Sequence, residues 1–179
     1  PNNLDAGITS IVSPKGAYCQ NTSSPVKVNL KNFSTTNLDT VTISWAMDNV
    51  LQSSTNWIGN IKKDSITTVT LGSYTFTNSG IHHVKAWTSN PNNTTDTIPS
   101  NDTAFTSDTI WAVPIADPGK NKRICHNGSD TIGVPTVSGS TYKWTSNPPG
   151  YSSTSAKNIV SPTVTTTYFL TVTDAMGCT

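Results

Sequence analysis

Glutamate is absent from this chain of 179 residues, and its absence restricts the fold more than any residue that is present. Arg123 is the one arginine, and Gln20 and Gln52 are the two glutamines. Threonine, serine and asparagine make up 71 residues, about two-fifths of the chain. Strong helix formers are therefore scarce, while Thr, Val, Ile, Tyr and Trp favour strands. The composition predicts an all-β protein and excludes a helical bundle.

Short runs of alternating apolar and polar residues, separated by turn residues, occupy the first 113 positions. In residues 25–33, Val26, Val28 and Leu30 share one face and the intervening polar residues share the other. Such alternation is typical of a strand with one buried face. The other predicted strands span 5–12, 40–47, 65–71, 73–77, 80–89 and 103–113. Several short strands at regular spacing predict a β-sandwich.

A change of composition near residues 113–119 indicates a boundary between two domains. Pro114, Pro118 and Gly119 lie within this stretch, and such residues suit a short stiff linker. We therefore divide the chain into domains at 1–113 and 114–179. The second domain also has strand-like segments, at 123–125, 130–133, 141–144, 156–160 and 165–173.

Charge and hydropathy exclude two classes of partner. The formal net charge is +1, with basic residues spread thinly, so nucleic-acid binding is not expected. No apolar run approaches the ~18 residues that cross a bilayer, so we expect no membrane insertion in this segment.

No catalytic motif is recognisable in the sequence. His82 and His83 are adjacent on a predicted strand, so they point to opposite faces and cannot act together. The nucleophile-elbow and zinc-protease patterns are also missing. We therefore expect a protein that is not an enzyme.

Calcium is the one cofactor that the sequence suggests. Asp96, Asp102 and Asp108 recur in a stretch that is rich in Asn, Ser and Pro. Calcium prefers such hard oxygen ligands, but the spacing matches no dedicated calcium loop. The alternative is an ordinary hydrogen-bonded surface loop, because the same residues form turns.

Tryptophan raises the question of carbohydrate binding. Trp45 is in phase with its apolar neighbours, and Trp144 lies on a predicted core strand, so both are expected inside. Trp57 lies between predicted strands and Trp87 is out of phase with the apolar face, which makes these two the glycan candidates. The alternative is that they are isolated surface aromatics, which are common on sandwiches.

Two resemblances to known families emerge from longer motifs. Residues 116–179, through ICHNGSDTIG, YKWTSNPPG and TTTYFLTVTDAMGC, resemble the bacterial immunoglobulin-like (PKD-like) repeats of secreted and surface proteins. Residues 1–113, through DAGITSIVSPKGAYC, PVKVNLKNFSTTNL and VTISWAMDNVLQ, more loosely resemble the cell-adhesion-related CARDB-like domain. Both families are β-sandwiches that commonly stand in tandem.

The resemblances imply a structure and a role. We expect two tandem immunoglobulin-like sandwiches, the second lacking its last strand because the chain stops at Thr179. The three cysteines leave at least one unpaired. The disulfide expected is Cys125–Cys178, with Cys19 as a buried or lone thiol.

The role implied is that of a non-catalytic segment of a large bacterial protein that is secreted or on the outer cell surface. It would act as a spacer, presentation or adhesion module, with neighbouring domains and surface polysaccharide or other glycans as partners. The alternative is a carbohydrate-binding accessory module of a secreted hydrolase.

Overall fold

The computed structural model describes residues 4–179, and its regular structure is almost entirely β-strand. The chain divides into two compact units, residues 1–111 and residues 112–179. The all-β prediction is confirmed, whereas the tandem immunoglobulin-like arrangement stays a prediction. Among the described residues, no helix is long and apolar enough to span a bilayer.

The described part of the first unit, from residue 4 onwards, contains nine strands. They are β1 (Ala6–Ser13), β2 (Tyr18–Cys19), β3 (Ser23–Asn32), β4 (Leu38–Met47), β5 (Val50–Leu51), β6 (Thr55–Ile61), β7 (Ile66–Thr75), β8 (Gly80–Ser89) and β9 (Thr103–Trp111). Two short 3-10 turns, Pro91–Asn93 and Pro99–Asn101, lie in the loop between β8 and β9.

These strands form two sheets. One has the order β1-β3-β7, and the other has the order β2-β9-β8-β4-β5, with β6 also paired to β4. All pairs are antiparallel except β2 with β9. The two predicted strands at 65–71 and 73–77 are the single strand β7.

One apolar core receives side chains from both sheets, which is the defining feature of a β-sandwich. The alternation predicted for 25–33 is confirmed, since Val26, Val28 and Leu30 are completely buried. Trp45 is also in the core, as expected. The other buried members are Ala6, Ile8, Ile11, Leu38, Val41, Ile43, Met47, Ile61, Val69, Leu71, Phe76, Val84, Ala86 and Ile110.

The second unit is a smaller β-structure with five strands. They are β10 (Asp130–Gly133), β11 (Thr141–Asn147), β12 (Ser152–Ser153), β13 (Lys157–Val160) and β14 (Thr167–Thr173). β10 pairs with β13, and β11 lies between β12 and β14. Trp144 is completely buried, as predicted, and its indole N–H donates to the carbonyl oxygen of Ser155 at 2.9 Å. The strand predicted at 123–125 is wrong, because no strand forms between residues 112 and 129.

The predicted disulfide is also wrong. Cys125 is a free and exposed thiol, so it does not pair with Cys178. Cys178 and Cys19 are both disulfide-bonded, which also corrects the expectation of a lone thiol at Cys19. Cys125 lies in an exposed segment without regular structure, where no strand holds it against a partner.

Candidate functional site

Three aspartates of the first unit meet at one edge of the sandwich. Asp5 immediately precedes β1, Asp96 lies in the loop between β8 and β9, and Asp102 immediately precedes β9. One carboxylate oxygen from each lies within 4.8 Å of the other two. Asp5 is buried, and Asp96 and Asp102 are half-buried. We call these three residues the aspartate cluster.

Backbone hydrogen bonds fix the position of Asp96. Its Oδ2 accepts from the N–H of Ala6 at 2.9 Å, and its Oδ1 accepts from the N–H of Ile98 at 2.8 Å. Asp96 therefore connects the start of β1 to the loop between β8 and β9, which ends at Asp102.

Asp5 and Asp102 are held through their neighbours. Asn101 Nδ2 donates to Asp5 Oδ1 at 2.9 Å, and the N–H of Asp5 donates to Ser34 Oγ at 2.9 Å. The carbonyl oxygen of Asp102 accepts from the N–H of Thr88 at 3.2 Å. Asp5 leads into the three-stranded sheet and Thr88 belongs to β8 of the larger sheet, so the cluster is linked to both sheets.

Gly7 allows this close approach. A Cβ atom at Gly7 would collide with the carbonyl oxygen of Asn101 and would lie 2.9 Å from its Oδ1. Only glycine therefore lets the 3-10 turn before Asp102 pack directly against β1.

The environment of the cluster opposes negative charge. The pKa of Asp102 is raised to about 6, mainly by burial and further by the nearby carboxylates of Asp96 and Asp5, while a hydrogen bond from Thr88 opposes the rise. Burial also raises the pKa of Asp5, and Asp96 adds to that rise. Neither ion pair among the described residues involves this cluster. A nearby positive charge would favour the ionised form of these carboxylates.

Two buried oxygen atoms at the cluster have no hydrogen-bond partner. They are Oδ1 of Asp102 and Oδ1 of Asn101. An unpaired buried oxygen is costly, and a metal ion satisfies such atoms as well as a hydrogen-bond donor does. Three carboxylates and an amide oxygen are also the hard donor set that calcium prefers. The residues therefore fit a hard divalent cation.

The sequence-based calcium candidates are only partly brought together. Asp96 and Asp102 lie in the cluster, but Asp108 lies within β9, where it is opposite His82 of β8. Asp108 is outside the aspartate cluster, and Asp5 takes that place. No local sequence signal points to Asp5, because about ninety positions separate it from the other two carboxylates.

The glycan candidates lie on two different strands. Trp57 is half-buried, packs against the core and lines a shallow cavity of about 440 Å³ with residues of β4, β6 and the loop after β8. Trp87 is half-buried in β8, and Lys85 Nζ lies 5.0 Å from the centre of its ring. The same ammonium lies 5.6 Å from the ring of Phe105, which is 71% exposed. The sequence did not single out Phe105.

The two adjacent histidines point to opposite faces, as predicted. His82 is buried and His83 is exposed. His82 Nδ1 lies 2.6 Å from Asp48 Oδ2, and its Nε2 lies 3.0 Å from the carbonyl oxygen of Asn78. Both ring nitrogens are engaged within the fold, so this pair is a structural contact.

Comparison with known proteins relates the fold to a named class. The chain is similar to the crystal structure of the CARDB domain of the PF1109 protein, in complex with di-metal ions, from Pyrococcus furiosus. The TM-score is 0.51 at 16% identity, over 61% of this chain and 94% of that one. A solution NMR structure of the same domain matches at 17% identity, over 62% and 95% of the two chains, with a TM-score of 0.47.

A β-glucosidase from Listeria innocua also matches, over 63% of this chain and 17% of that chain, with 12% identity and a TM-score of 0.37. No family model and no curated protein matches this sequence. The chain thus contains a β-sandwich with the fold of a CARDB domain, which supports the looser of the two resemblances. The PKD-like resemblance of residues 116–179 stays a prediction.

Proposed function

We propose that this chain is a non-catalytic modular segment of a secreted or cell-surface protein, and that its first unit is a CARDB-type sandwich stabilised by a divalent cation. The observation that carries the proposal is the aspartate cluster, with its unpartnered Asp102 Oδ1. Asp5, Asp96 and Asp102 would hold the cation, with Asn101 Oδ1 nearby. The cation would supply the positive charge that these buried carboxylates require.

Calcium is the cation that best suits this role. The donors are all oxygen atoms, and calcium tolerates the irregular geometry of ligands that come from separate loops. Extracellular modules bind calcium with dissociation constants of ~10⁻⁴–10⁻³ M. The PF1109 domain was crystallised with two metal ions, which supports metal binding by a sandwich of this fold.

The cation would serve a mechanical role. Asp5 leads into the three-stranded sheet, whereas Asp96 lies in the loop before β9 of the other sheet and Asp102 immediately precedes that strand. A cation bound to all three would cross-link the two sheets at the point where the chain enters the domain. Such a cross-link suits a spacer or presentation module that must resist unfolding outside the cell.

Thermal unfolding in calcium and in chelator tests this proposal. Calcium at about 10 mM should raise the melting temperature of the wild-type chain by about 3 °C or more, because a ligand of the native state stabilises by mass action. Asp102→Asn should abolish that increase. Asp108→Asn is the matched control, because it makes the same substitution outside the cluster, within the strand β9 that Asp102 immediately precedes. An equal calcium response in all three chains would refute the site.

The location outside the cell needs its own test. An antibody against this segment should label intact cells, and protease added to those cells should remove the label. Labelling that appears only after lysis would contradict a secreted or surface position, whatever the metal result.

A carbohydrate-binding module is the second candidate, and one specific observation favours it. Trp87 and Phe105 flank Lys85 on the outer face of the larger sheet, so two rings and a cation lie together. Aromatic rings at such a face pack against the apolar faces of sugars. Retention on polysaccharide affinity gels that is lost in Trp87→Ala and kept in Trp57→Ala would support this role. No retention by the wild-type chain would exclude it.

A further inference from the structure

The second unit contains a cavity with an unusual concentration of positive charge. Its volume is about 790 Å³, within the ~300–1,000 Å³ typical of small-molecule sites. The segment 118–126 forms one wall, and residues 162–168 form another. Lys120, Lys122 and Arg123 all line it, which is three of the eleven basic residues in the chain.

Only part of this charge is neutralised within the protein. Lys122 Nζ donates to Asp130 Oδ1 at 2.7 Å and to the carbonyl oxygen of Thr131 at 3.3 Å. Lys120 and Arg123 are exposed, and neither forms an ion pair with any described residue. The cavity therefore keeps an excess of about two positive charges, from Lys120 and Arg123.

Hydrogen bonds anchor the basic wall. The N–H of Gly133 in β10 donates to the carbonyl oxygen of Pro118 at 3.0 Å, and the N–H of Gly128 donates to that of Cys125 at 2.8 Å. The first bond and the Lys122–Asp130 pair attach the segment to β10, and the second closes the turn that follows Cys125. The basic side chains therefore lie on an anchored support, and an anion that binds there meets a partly preformed site.

The opposite wall combines hydroxyl groups with apolar surface. The threonines lining the cavity supply hydroxyl groups that both donate and accept hydrogen bonds, while Val160, Pro162 and Tyr168 supply apolar area. Sugars present the same combination of hydroxyl groups and C–H faces. The lining threonines are Thr163, Thr165, Thr166 and Thr167.

We propose that this cavity binds an acidic oligosaccharide, with Arg123 and Lys120 holding the carboxylate groups and the threonine-rich wall holding the sugar rings. Arginine forms paired hydrogen bonds with carboxylates, and lysine adds a mobile charge. The volume accommodates more than one sugar unit. This site is independent of the aspartate cluster, which lies in the other unit.

The reactivity of Cys125 can report the charge in the cavity, because Cys125 is a free and exposed thiol that lines it. Its thiolate displaces iodide from both iodoacetate and iodoacetamide, forming a thioether and releasing iodide. The first reagent is an anion and the second is neutral. The ratio of the two alkylation rates therefore reports the local charge.

The first arm of the experiment measures this ratio at low salt. The alkylation rate of Cys125 with iodoacetate, divided by its rate with iodoacetamide, should be about threefold or more higher in the wild-type chain than in the double variant Lys120→Ala/Arg123→Ala. Lys143→Ala/Lys157→Ala is the matched control, because it removes two exposed lysines of the same unit that do not line the cavity. The control should keep the wild-type ratio. An unchanged ratio in Lys120→Ala/Arg123→Ala would overturn the proposal.

The second arm tests the ligand, using trigalacturonate, neutral maltotriose and sodium sulfate at matched ionic strength. Trigalacturonate should slow the alkylation of Cys125 by iodoacetamide severalfold in the wild-type chain and in the lysine control, but not in Lys120→Ala/Arg123→Ala. Maltotriose and sulfate should have little effect. Equal protection by maltotriose or by sulfate would overturn the assignment to an acidic sugar, as would no protection by trigalacturonate.

Discussion

The backbone N–H of Ala6 donates a 2.9 Å hydrogen bond to Oδ2 of Asp96, ninety positions later in the chain. Ala6 begins β1 of the three-stranded sheet, while Asp96 lies in the loop between two strands of the larger sheet. This bond therefore joins the two sheets at the aspartate cluster. A cation at the same place would strengthen a link that the backbone already makes.

The stability of the chain in chelator should depend on pH because of Asp102. The pKa of Asp102 is about 6 in the folded protein, against an ordinary value of 3.8. Its favourable contribution to the free energy of unfolding is therefore complete below about pH 3.8 and is lost as the pH rises through about 6. Lowering the pH from 7 to 5 should then raise the free energy of unfolding by on the order of 1 kcal/mol, after allowance for solvent screening.

Chemical denaturation at a series of pH values measures this effect. Asp102→Asn should remove most of the rise, because asparagine does not titrate. Excess calcium should reverse its sign, since protons compete with the cation for the carboxylates. A wild-type profile in chelator that coincides with that of Asp102→Asn would contradict the assignment.

Gly7→Ala should disrupt the cluster through the backbone. The new Cβ would press against the carbonyl oxygen of Asn101, which cannot move away without shifting the 3-10 turn before Asp102. We expect a loss of about 1–3 kcal/mol in urea unfolding, together with a weaker response to calcium.

Gly72→Ala is the control for that substitution. Its Cβ would make one ordinary contact, 3.5 Å from Cζ2 of Trp45, and the position is also within a strand. It should leave stability within ~0.5 kcal/mol of wild type or raise it slightly. Equal losses in both variants would show that the contact with Asn101 is not important.

Asp48 should contribute to stability through His82. Its Oδ2 lies 2.6 Å from His82 Nδ1, and its Oδ1 accepts from the N–H of His83 at 2.7 Å. Asp48→Asn exchanges one acceptor oxygen for a donor group, so it should cost about 1–2 kcal/mol in urea unfolding.

Asp64→Asn is the matched control for this prediction. Asp48 and Asp64 both have a positive φ, 49° and 59°, and asparagine tolerates that conformation equally well. Asp64→Asn should therefore change stability by less than ~0.5 kcal/mol. A similar small change in Asp48→Asn would remove the proposed contribution of the histidine contact.

The oxidation state of the cysteines gives a direct chemical prediction. Iodoacetamide without reductant should modify Cys125 alone, because it is the exposed free thiol. Cys19 and Cys178 should become reactive only after reduction, because both are disulfide-bonded. Peptide mapping by mass spectrometry distinguishes the three sites. An unmodified Cys125 in the oxidised protein would contradict the structure.

The sequence predicted most strands of the first unit because their signal is local. A half-buried strand must alternate apolar and polar residues, and Val26, Val28 and Leu30 show that pattern plainly. β6 was missed because its sequence, TNWIGNI, has no clear alternation and includes Gly59. A Cβ at Gly59 would collide with the ring of Trp57, so this glycine serves packing that sequence alone does not reveal.

The site was only half predicted because it depends on distant residues. Asp96 and Asp102 are near each other in sequence, whereas Asp5 joins them only when β1 pairs within the fold. Asp108 was included because it recurs in the same Asn-, Ser- and Pro-rich stretch, although strand pairing places it opposite His82. The cysteine error has the same origin, because disulfide connectivity cannot be deduced from spacing.

Calorimetric titration of calcium into chelator-treated protein tests the central claim most directly. The wild-type chain and Asp108→Asn should both bind calcium at the cluster, with a dissociation constant of ~10⁻⁴–10⁻³ M. Asp102→Asn should bind at least tenfold more weakly, because it removes a charged ligand. Undetectable binding by the wild-type chain, or equal binding by Asp102→Asn, would contradict a cation-stabilised CARDB-type module.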